Sequence, residues 1–351
     1  MISAIRKRCA AELLLLLSDD YKNVPSEYKE NVLQIAKELT EDKYTDIQKW
    51  ANEVKNTGNN AQVLLEFMKT SYYSDMLNAL LQVEPNDTES AYYTTFKTFS
   101  YMLPESCKDV NGEISDDCGK LSVMNMAYMN DPNEGIVFRK WLYGAQPIPK
   151  EASARKELKA PYVFIKCFTS MIDYLPMWQM YGDSARGVCL IMDLEENTSL
   201  YHVCYLNKTK NGYTVRKDDN RELDCEKIEV IIKDLQTIFN SLQEEKDRIV
   251  FDKIIDSLSY LFKENSYSYE QETRILYIFK KSSPLIKHTK QDPPKLFVTH
   301  DNSVKIKKII LGPKFDNITE TMPFLTEQLE ILSEVKKYDQ PKVVQSEIEF
   351  R

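Results

Sequence analysis

The chain has 351 residues and a mass of 41.0 kDa, enough for one large domain or two of ordinary size. Its 46 Lys and Arg stand against 54 Asp and Glu, and the formal charge of −8 argues against a general nucleic-acid binder, which needs a basic surface. Only three His and nine Gly are present, which disfavours a His-rich zinc site and a glycine-rich phosphate loop. We therefore expect chemistry based on carboxylates, hydroxyls and aromatic rings, without a metal.

The cysteines and the apolar runs indicate a cytoplasmic protein. The seven Cys are odd in number and form no C-x-x-C pair, which is typical of a reducing compartment. Cys107 and Cys118 flank a polar loop, but we expect both to be reduced. The apolar run 13–17 is interpreted as part of a helix and not as a signal peptide, and no run reaches the ~20 residues of a membrane span.

The predicted elements divide the chain into a helical region, residues 1–88, and an α+β domain, residues 89–351. Helical spacing of apolar residues makes the first region a candidate helical-repeat or partner-binding segment. The second region is predicted to form a mixed, mainly antiparallel sheet with a helical insertion at 224–264 and a later helix at 318–335. The predicted strands cover 121–125, 162–168, 187–193, 201–206, 272–279, 296–299, 304–311 and 343–350.

Two early segments in the second region have both structural and functional interpretations. Tyr92, Tyr93, Thr94 and Thr95 precede a predicted helix over 96–103, so they are either core tyrosines with a helix cap or part of a binding site. The segment from Asn130 to Gly135 has the composition of a tight turn. Its acidic residues, Asp131 and Glu134, could instead hold a metal or fix neighbouring loops.

Two later segments contain the candidate chemistry. Thr169 and Ser170 end a predicted strand, where hydroxyls can orient a sugar or an amide. Trp178 and Tyr181 share one face of a short predicted helix, which either lines a pocket or packs in the core. The helix is followed by a turn that contains Arg186.

The last segment is E-x-E. If Glu270 and Glu272 both lie on a strand, they project to the same face, where neighbouring carboxylates can divide acid and base roles. The structural alternative is a solvated strand start in which Arg274 pairs with a carboxylate.

Taken in order, these segments resemble bacterial domain-of-unknown-function family twenty-nine seventy-one. The motifs that carry the resemblance are Y-Y-T-T, N-D-P-N-E-G, W-Q-M-Y, R-G-V-C-L-I-M-D and Y-E-Q-E-T-R-I-L. The resemblance covers roughly residues 90–330 and leaves the N-terminal helices outside. It implies no function by itself.

A weaker resemblance, to ADP-ribosyltransferases, rests on the order aromatic-plus-Thr, strand-end T-S, then E-x-E. It implies that NAD is the substrate and that Tyr93 contacts its nicotinamide or ribose, with Tyr92 where that family usually has His. It implies that Thr169 and Ser170 orient the nicotinamide ribose, Glu272 binds its 2′-hydroxyl and Glu270 positions the acceptor. Trp178 and Tyr181 are expected to form the aromatic wall of the site.

These observations leave three functions open. The first is an ADP-ribosyltransferase-like enzyme that uses NAD, as a toxin or an anti-phage defence effector, with residues 1–88 as the binding segment for a protein partner. The second is a non-catalytic sensor of a nucleotide or other small ligand. The third is a nuclease that uses Asp131 and Glu134.

Overall fold

The computed structural model describes residues 61–83, 89–129, 131, 133, 135–144, 146, 162–194, 198–210, 212–217, 223–279, 283–289 and 293–349. The predicted α+β class is confirmed. The predictions for residues 1–60, for the boundary at 84–88 and for Asn130 and Glu134 lie outside the described residues. Within the described ranges, no helix combines the length and the apolar character needed to cross a bilayer.

The helices, numbered in chain order, are α1 (Ala61–Leu81), α2 (Phe96–Ser100), α3 (Pro104–Cys107), α4 (Val137–Tyr143), α5 (Leu175–Tyr181), α6 (Cys225–Ser241), α7 (Glu245–Ile255) and α8 (Ile318–Lys336). The strands are β1 (Glu89–Thr94), β2 (Lys120–Asn125), β3 (Tyr162–Thr169), β4 (Val188–Asp193), β5 (Leu200–His202), β6 (Cys204–Thr209), β7 (Gly212–Val215), β8 (Phe262–Glu264), β9 (Glu272–Phe279), β10 (Lys287–His288), β11 (Leu296–Ser303), β12 (Lys305–Leu311) and β13 (Lys342–Gln345). Helix α2 is therefore shorter than the predicted 96–103, and β13 is shorter than the predicted 343–350.

The main sheet branches at β3. Along one edge, β3 pairs with β9 over its whole length, from Tyr162 opposite Phe279 to Thr169 opposite Glu272. Along its other edge it pairs with β2 near its start and with β1 at Thr169, and the two branches continue as β2–β11–β10 and β1–β4–β12–β13. Among these described pairs only β12–β13 is parallel, as expected for a mainly antiparallel sheet.

The run 201–206, predicted as one strand, is divided between two sheets. Strand β5 pairs with β9, but β9 begins at Glu272, whose carbonyl accepts a hydrogen bond from Val203. Beyond Val203 no further β9 residue is available, and β6 joins β7 and β8 in a separate three-stranded sheet. The predicted helical insertion over 224–264 likewise ends in a strand, β8, which pairs in parallel with β6.

The insertion helices, together with α1 and α4, pack against strands β3 and β9 of the main sheet in one apolar cluster. Helix α6 turns a stripe of Ile228, Ile231, Ile232 and Leu235 inward, and Leu77 of α1 packs into the same cluster. Arg139 of α4 is buried beside it, 2.7 Å from Asp252 and 2.8 Å from Asp256. A second apolar cluster, between the main sheet and α8, is formed by residues such as Leu190, Ile309 and Leu329.

Gly135 is required where the loop before α4 passes Tyr260. Its φ is +73°, and a Cβ at this position would lie 2.7 Å from Cε1 of the buried Tyr260 ring. We expect Gly135→Ala to lower the free energy of unfolding by about 2–4 kcal/mol, because overpacking adds to backbone strain. Urea unfolding measures this. Gly112→Ala is the matched control, since its φ is +83° but no atom lies within 4 Å. Equal losses in both variants would contradict the packing contribution.

Candidate functional site

The two carboxylates of the E-x-E segment converge, but by a route that the sequence did not predict. Residues Asn265–Glu270 form a 3₁₀ helix, Gln271 follows in a left-handed conformation with φ 44° and ψ 51°, and β9 begins only at Glu272. The expectation that Glu270 and Glu272 share a strand face is therefore wrong. The turn at Gln271 nevertheless brings both side chains to Lys263 Nζ, which lies 2.7 Å from Glu270 Oε2 and 2.9 Å from Glu272 Oε2.

A second cation completes this buried network. Arg274 Nε lies 2.8 Å from Glu272 Oε1, and Arg274 Nη2 lies 3.0 Å from Glu272 Oε2. The guanidinium also donates to the carbonyl of Tyr260. We name Lys263, Glu270, Glu272 and Arg274 the carboxylate cluster. Each of the four residues is at most 5% exposed.

The cations determine the charge state of Glu272. Burial acts to raise the pKa of its carboxyl, but Arg274 and Lys263 outweigh burial and hold that pKa well below its ordinary value. Burial and the neighbouring Glu272 carboxylate raise the pKa of the Cys167 thiol well above its ordinary value. At neutral pH Glu272 is therefore ionised, and the thiol of the neighbouring Cys167 is protonated.

Tyrosine rings from two elements border the cluster. The Tyr181 hydroxyl, at the end of α5, donates to Glu270 Oε1 at 2.7 Å. Burial and the Glu270 charge raise the pKa of Tyr181, which keeps this hydroxyl protonated. On the 3₁₀ helix, the Tyr267 ring centre lies 4.9 Å from Lys263 Nζ. Both tyrosines are half-buried, so the cluster has an aromatic border that reaches the surface.

Thr169 and Ser170 lie next to the cluster at the end of β3. Thr169 is directly opposite Glu272, and its hydroxyl donates to the Glu270 carbonyl at 2.5 Å and accepts from Met171 N at 2.9 Å. Ser170 is exposed, and its N–H donates to the Gln271 carbonyl at 3.4 Å. The strand end therefore fixes the backbone on which Glu270 and Gln271 lie.

Tyr93 and Trp178 pack on each other behind this strand end. Their ring centres are 4.8 Å apart, edge to face, and both residues are buried. The Tyr93 hydroxyl donates to the Met171 carbonyl at 2.8 Å and accepts from Tyr174 N at 2.9 Å, while Trp178 Nε1 donates to Asp173 at 2.7 Å. The pair therefore shapes the loop that follows Ser170.

A match to a protein family covers the segment that contains α5 and the carboxylate cluster. Residues 177–275 match the family described as Protein of unknown function (DUF2971). The predicted resemblance to that family is thereby confirmed over a shorter range than the predicted 90–330. The DUF2971 segment contains Trp178, Tyr181 and all four members of the cluster, whereas Tyr93 and Thr169 precede it. Searches of curated proteins and of solved structures gave no match, so the resemblance to ADP-ribosyltransferases remains a prediction.

Tyr92 and Thr94 precede the DUF2971 segment and lie on the opposite face of the sheet from Tyr93, because side chains alternate along β1. Lys166 Nζ lies 3.5 Å from the Tyr92 ring centre. Burial acts to raise the pKa of the Tyr92 hydroxyl, but the Lys166 ammonium outweighs burial and lowers it. The helix cap is Thr95, which accepts a hydrogen bond from Thr98 N at 2.9 Å.

The other predicted residues are loop residues. Asp131 is buried and accepts from Asn133 N at 2.8 Å, as in an Asx turn. Since Asn130 and Glu134 lie outside the described residues, the nuclease alternative remains a prediction. Arg186, in the turn after α5 within the DUF2971 segment, is exposed and lies 4.0 Å from Asp316.

Sequence reasoning missed Lys263 as a member of the site. Lys263 lies at the end of the insertion, in a segment predicted to be helical, and no motif distinguishes it. From the sequence, Arg274 was considered only as an ion-pair partner in the structural interpretation of the E-x-E segment. Arg274 follows Glu272 by two positions on a strand, and this spacing is the signal that places the two side chains on the same face.

Proposed function

We propose that the protein is an ADP-ribosyltransferase-like enzyme that uses NAD as its substrate. The observation that carries the proposal is the strand order. Thr169 of β3 is paired on one side with Ala91 of β1 and on the other with Glu272 of β9. Residues directly opposite each other in antiparallel strands project to the same face, so Tyr93, Thr169 and Glu272 share one face of three neighbouring strands.

This arrangement suits cleavage of the glycosidic bond of NAD. The bond between ribose C1′ and the nicotinamide nitrogen breaks, its electron pair leaves with nicotinamide, and positive charge develops on the ribose. An ionised carboxylate close to that charge stabilises it. In the proposal, Glu272 binds the ribose 2′-hydroxyl and Glu270 positions the acceptor, whose nucleophile attacks C1′ and loses its proton to the surrounding water.

The surrounding residues have supporting roles in this proposal. Thr169 and Ser170 orient the ribose from the end of β3, and the half-buried Tyr181 and Tyr267 border the nicotinamide ring. Tyr93 and Trp178 act as positioning residues, because the Tyr93 hydroxyl and the Trp178 N–H already hold the loop over 171–174.

We further propose that the protein acts in the cytoplasm, as a toxin or as an anti-phage defence effector. The six cysteines that the structure describes, including Cys107 and Cys118, are free thiols, which supports the location.

The test uses the intact chain, NAD labelled in the adenylate part, and a cell lysate. We expect the wild-type protein to release nicotinamide and to transfer label. We expect Glu270→Gln to reduce label transfer by about tenfold or more while it still releases nicotinamide, because water can replace the acceptor. Glu264→Gln, a half-buried carboxylate on the nearby β8, is the matched control and should behave as the wild type. Nicotinamide release no higher than in a protein-free blank would overturn the proposal.

The second candidate is a non-catalytic sensor of a nucleotide or other small ligand. This candidate is favoured because the carboxylate oxygens of Glu272 already have hydrogen-bond partners. Arg274 donates to both oxygens, and Lys263 donates to one of them. A thermal-shift measurement with NAD, ADP-ribose and ATP distinguishes the two candidates. Stabilisation that depends on Trp178, without release of nicotinamide, would support the sensor.

A further inference from the structure

Lys263 differs from the other members of the carboxylate cluster in how it is held. Arg274 is fully buried, makes two hydrogen bonds to Glu272 and donates to the Tyr260 carbonyl. Lys263 reaches the two carboxylates as a single ammonium on a flexible stem, from the short strand β8. The Lys263 ammonium can therefore leave by side-chain rotation, whereas Arg274 is fixed in the sheet.

The position of the Lys263 ammonium has the composition of a binding site for an organic cation. Two carboxylate oxygens lie within 2.9 Å of it, and the Tyr267 ring centre lies 4.9 Å away, within the range of a cation–π interaction. Tyr181 contacts Glu270 from the side of α5. Since both tyrosines are half-buried, the position lies directly behind an aromatic border that reaches the surface.

Charge balance argues that this position needs a cation at all times. Glu270 and Glu272 carry two negative charges, and Lys263 and Arg274 carry two positive charges, so the cluster is neutral as it stands. Removal of the Lys263 ammonium would leave one buried negative charge uncompensated, which is costly. An incoming cation restores neutrality, whereas a neutral ligand of the same shape does not.

We infer that the Lys263 ammonium occupies a binding position for a planar aromatic cation, framed by Glu270, Glu272 and Tyr267, and that such a ligand enters by displacing it. The planar aromatic class follows from the tyrosine rings, against which a flat cation can stack. This inference rests on the proposed function for the identity of the natural ligand, the pyridinium group of NAD. The displacement itself requires no turnover.

The first experiment uses the wild-type protein and lysine labelling. The protein is treated with a short pulse of an amine-acylating reagent, with or without 1-methylnicotinamide, and the acylated lysines are quantified by mass spectrometry. We expect 1-methylnicotinamide to increase acylation of Lys263 by about fivefold or more, because the displaced ammonium becomes accessible. Neutral nicotinamide is expected to have no effect. Lys166 is the internal control, since it is also buried but lies on the opposite face of the sheet.

The second experiment uses Lys263→Gln and thermal unfolding. We expect 1-methylnicotinamide to raise the Tm of this variant by about 3 °C or more, because it replaces the missing cation. Arg139→Gln is the matched control. It removes a cation from the buried carboxylates Asp252 and Asp256, so it should show no such rescue. A third arm uses ethylammonium, a cation without an aromatic ring. If ethylammonium raises the Tm of Lys263→Gln as much as 1-methylnicotinamide does, the aromatic part of the inference is overturned.

The outcomes separate this inference from the proposed function. Unchanged Lys263 acylation in the presence of 1-methylnicotinamide would overturn the displacement, whether or not the protein consumes NAD. Increased acylation without any release of nicotinamide from NAD would support the cation site and overturn the enzyme.

Discussion

Replacement of Arg274 by Gln is expected to lower the free energy of unfolding by about 3–5 kcal/mol, which is the usual cost of removing one partner from a buried ion pair. The guanidinium is fully buried and holds both oxygens of Glu272. Without it, Glu272 retains only Lys263 as a cation partner within the carboxylate cluster. Urea unfolding at pH 7 measures the loss. Arg186→Gln removes an exposed arginine that lies 4.0 Å from the exposed Asp316, and it should cost less than about 0.5 kcal/mol.

The pH dependence of this loss provides a check on its cause. Because the folded-state pKa of Glu272 is depressed below the ordinary value of 4.5, its contribution to stability is complete above about pH 4.5 and is lost as the pH falls toward the folded-state pKa. The difference between wild type and Arg274→Gln should therefore be smaller at pH 3 than at pH 7. An equal difference at both values would show that the loss comes from packing and not from the charge of Glu272.

Replacement of Glu272 by Gln is expected to slow nicotinamide release by about 10²–10³-fold, the usual effect of removing one group that stabilises transition-state charge. The amide keeps the shape of the side chain but has no charge to offset the developing positive ribose. Initial rates of nicotinamide release, at saturating NAD, measure the effect. Near-ultraviolet circular dichroism of the variant shows whether the cluster is still folded, since Lys263 and Arg274 lose a shared carboxylate.

Two further variants make the Glu272 prediction specific. Glu272→Asp keeps the charge and should recover part of the rate, whereas Glu264→Gln should leave the rate unchanged. If Glu272→Gln is folded and releases nicotinamide as fast as the wild type, Glu272 does not stabilise the reacting ribose.

Much of the sheet could be predicted from local pattern. Strands β2, β3, β9 and β12 begin and end close to their predicted limits, because each is a short apolar run bounded by turn residues. The alternation of β1 also predicts that Tyr92 and Tyr93 lie on opposite faces of the sheet, since adjacent residues of a strand face opposite sides.

The parts that escaped prediction depend on contacts distant in sequence. The break at Val203 exists because β9 begins at Glu272, which is 69 positions further along the chain. Glu270 leaves the strand because Gln271 adopts a left-handed conformation, which few residues other than Gly adopt. Lys263 joins the site only because β8 pairs with β6, and no local pattern indicates that pairing.

The structure of the wild-type protein with carba-NAD, an analogue whose glycosidic bond cannot be cleaved, tests the central claim most directly. Our proposals predict that its nicotinamide ribose lies against Thr169 and Ser170, with the 2′-hydroxyl within hydrogen-bond distance of Glu272. They also predict that the pyridinium stands beside Tyr267 and that the Lys263 ammonium has moved out. An analogue bound elsewhere on the protein, with Lys263 still between Glu270 and Glu272, would contradict them.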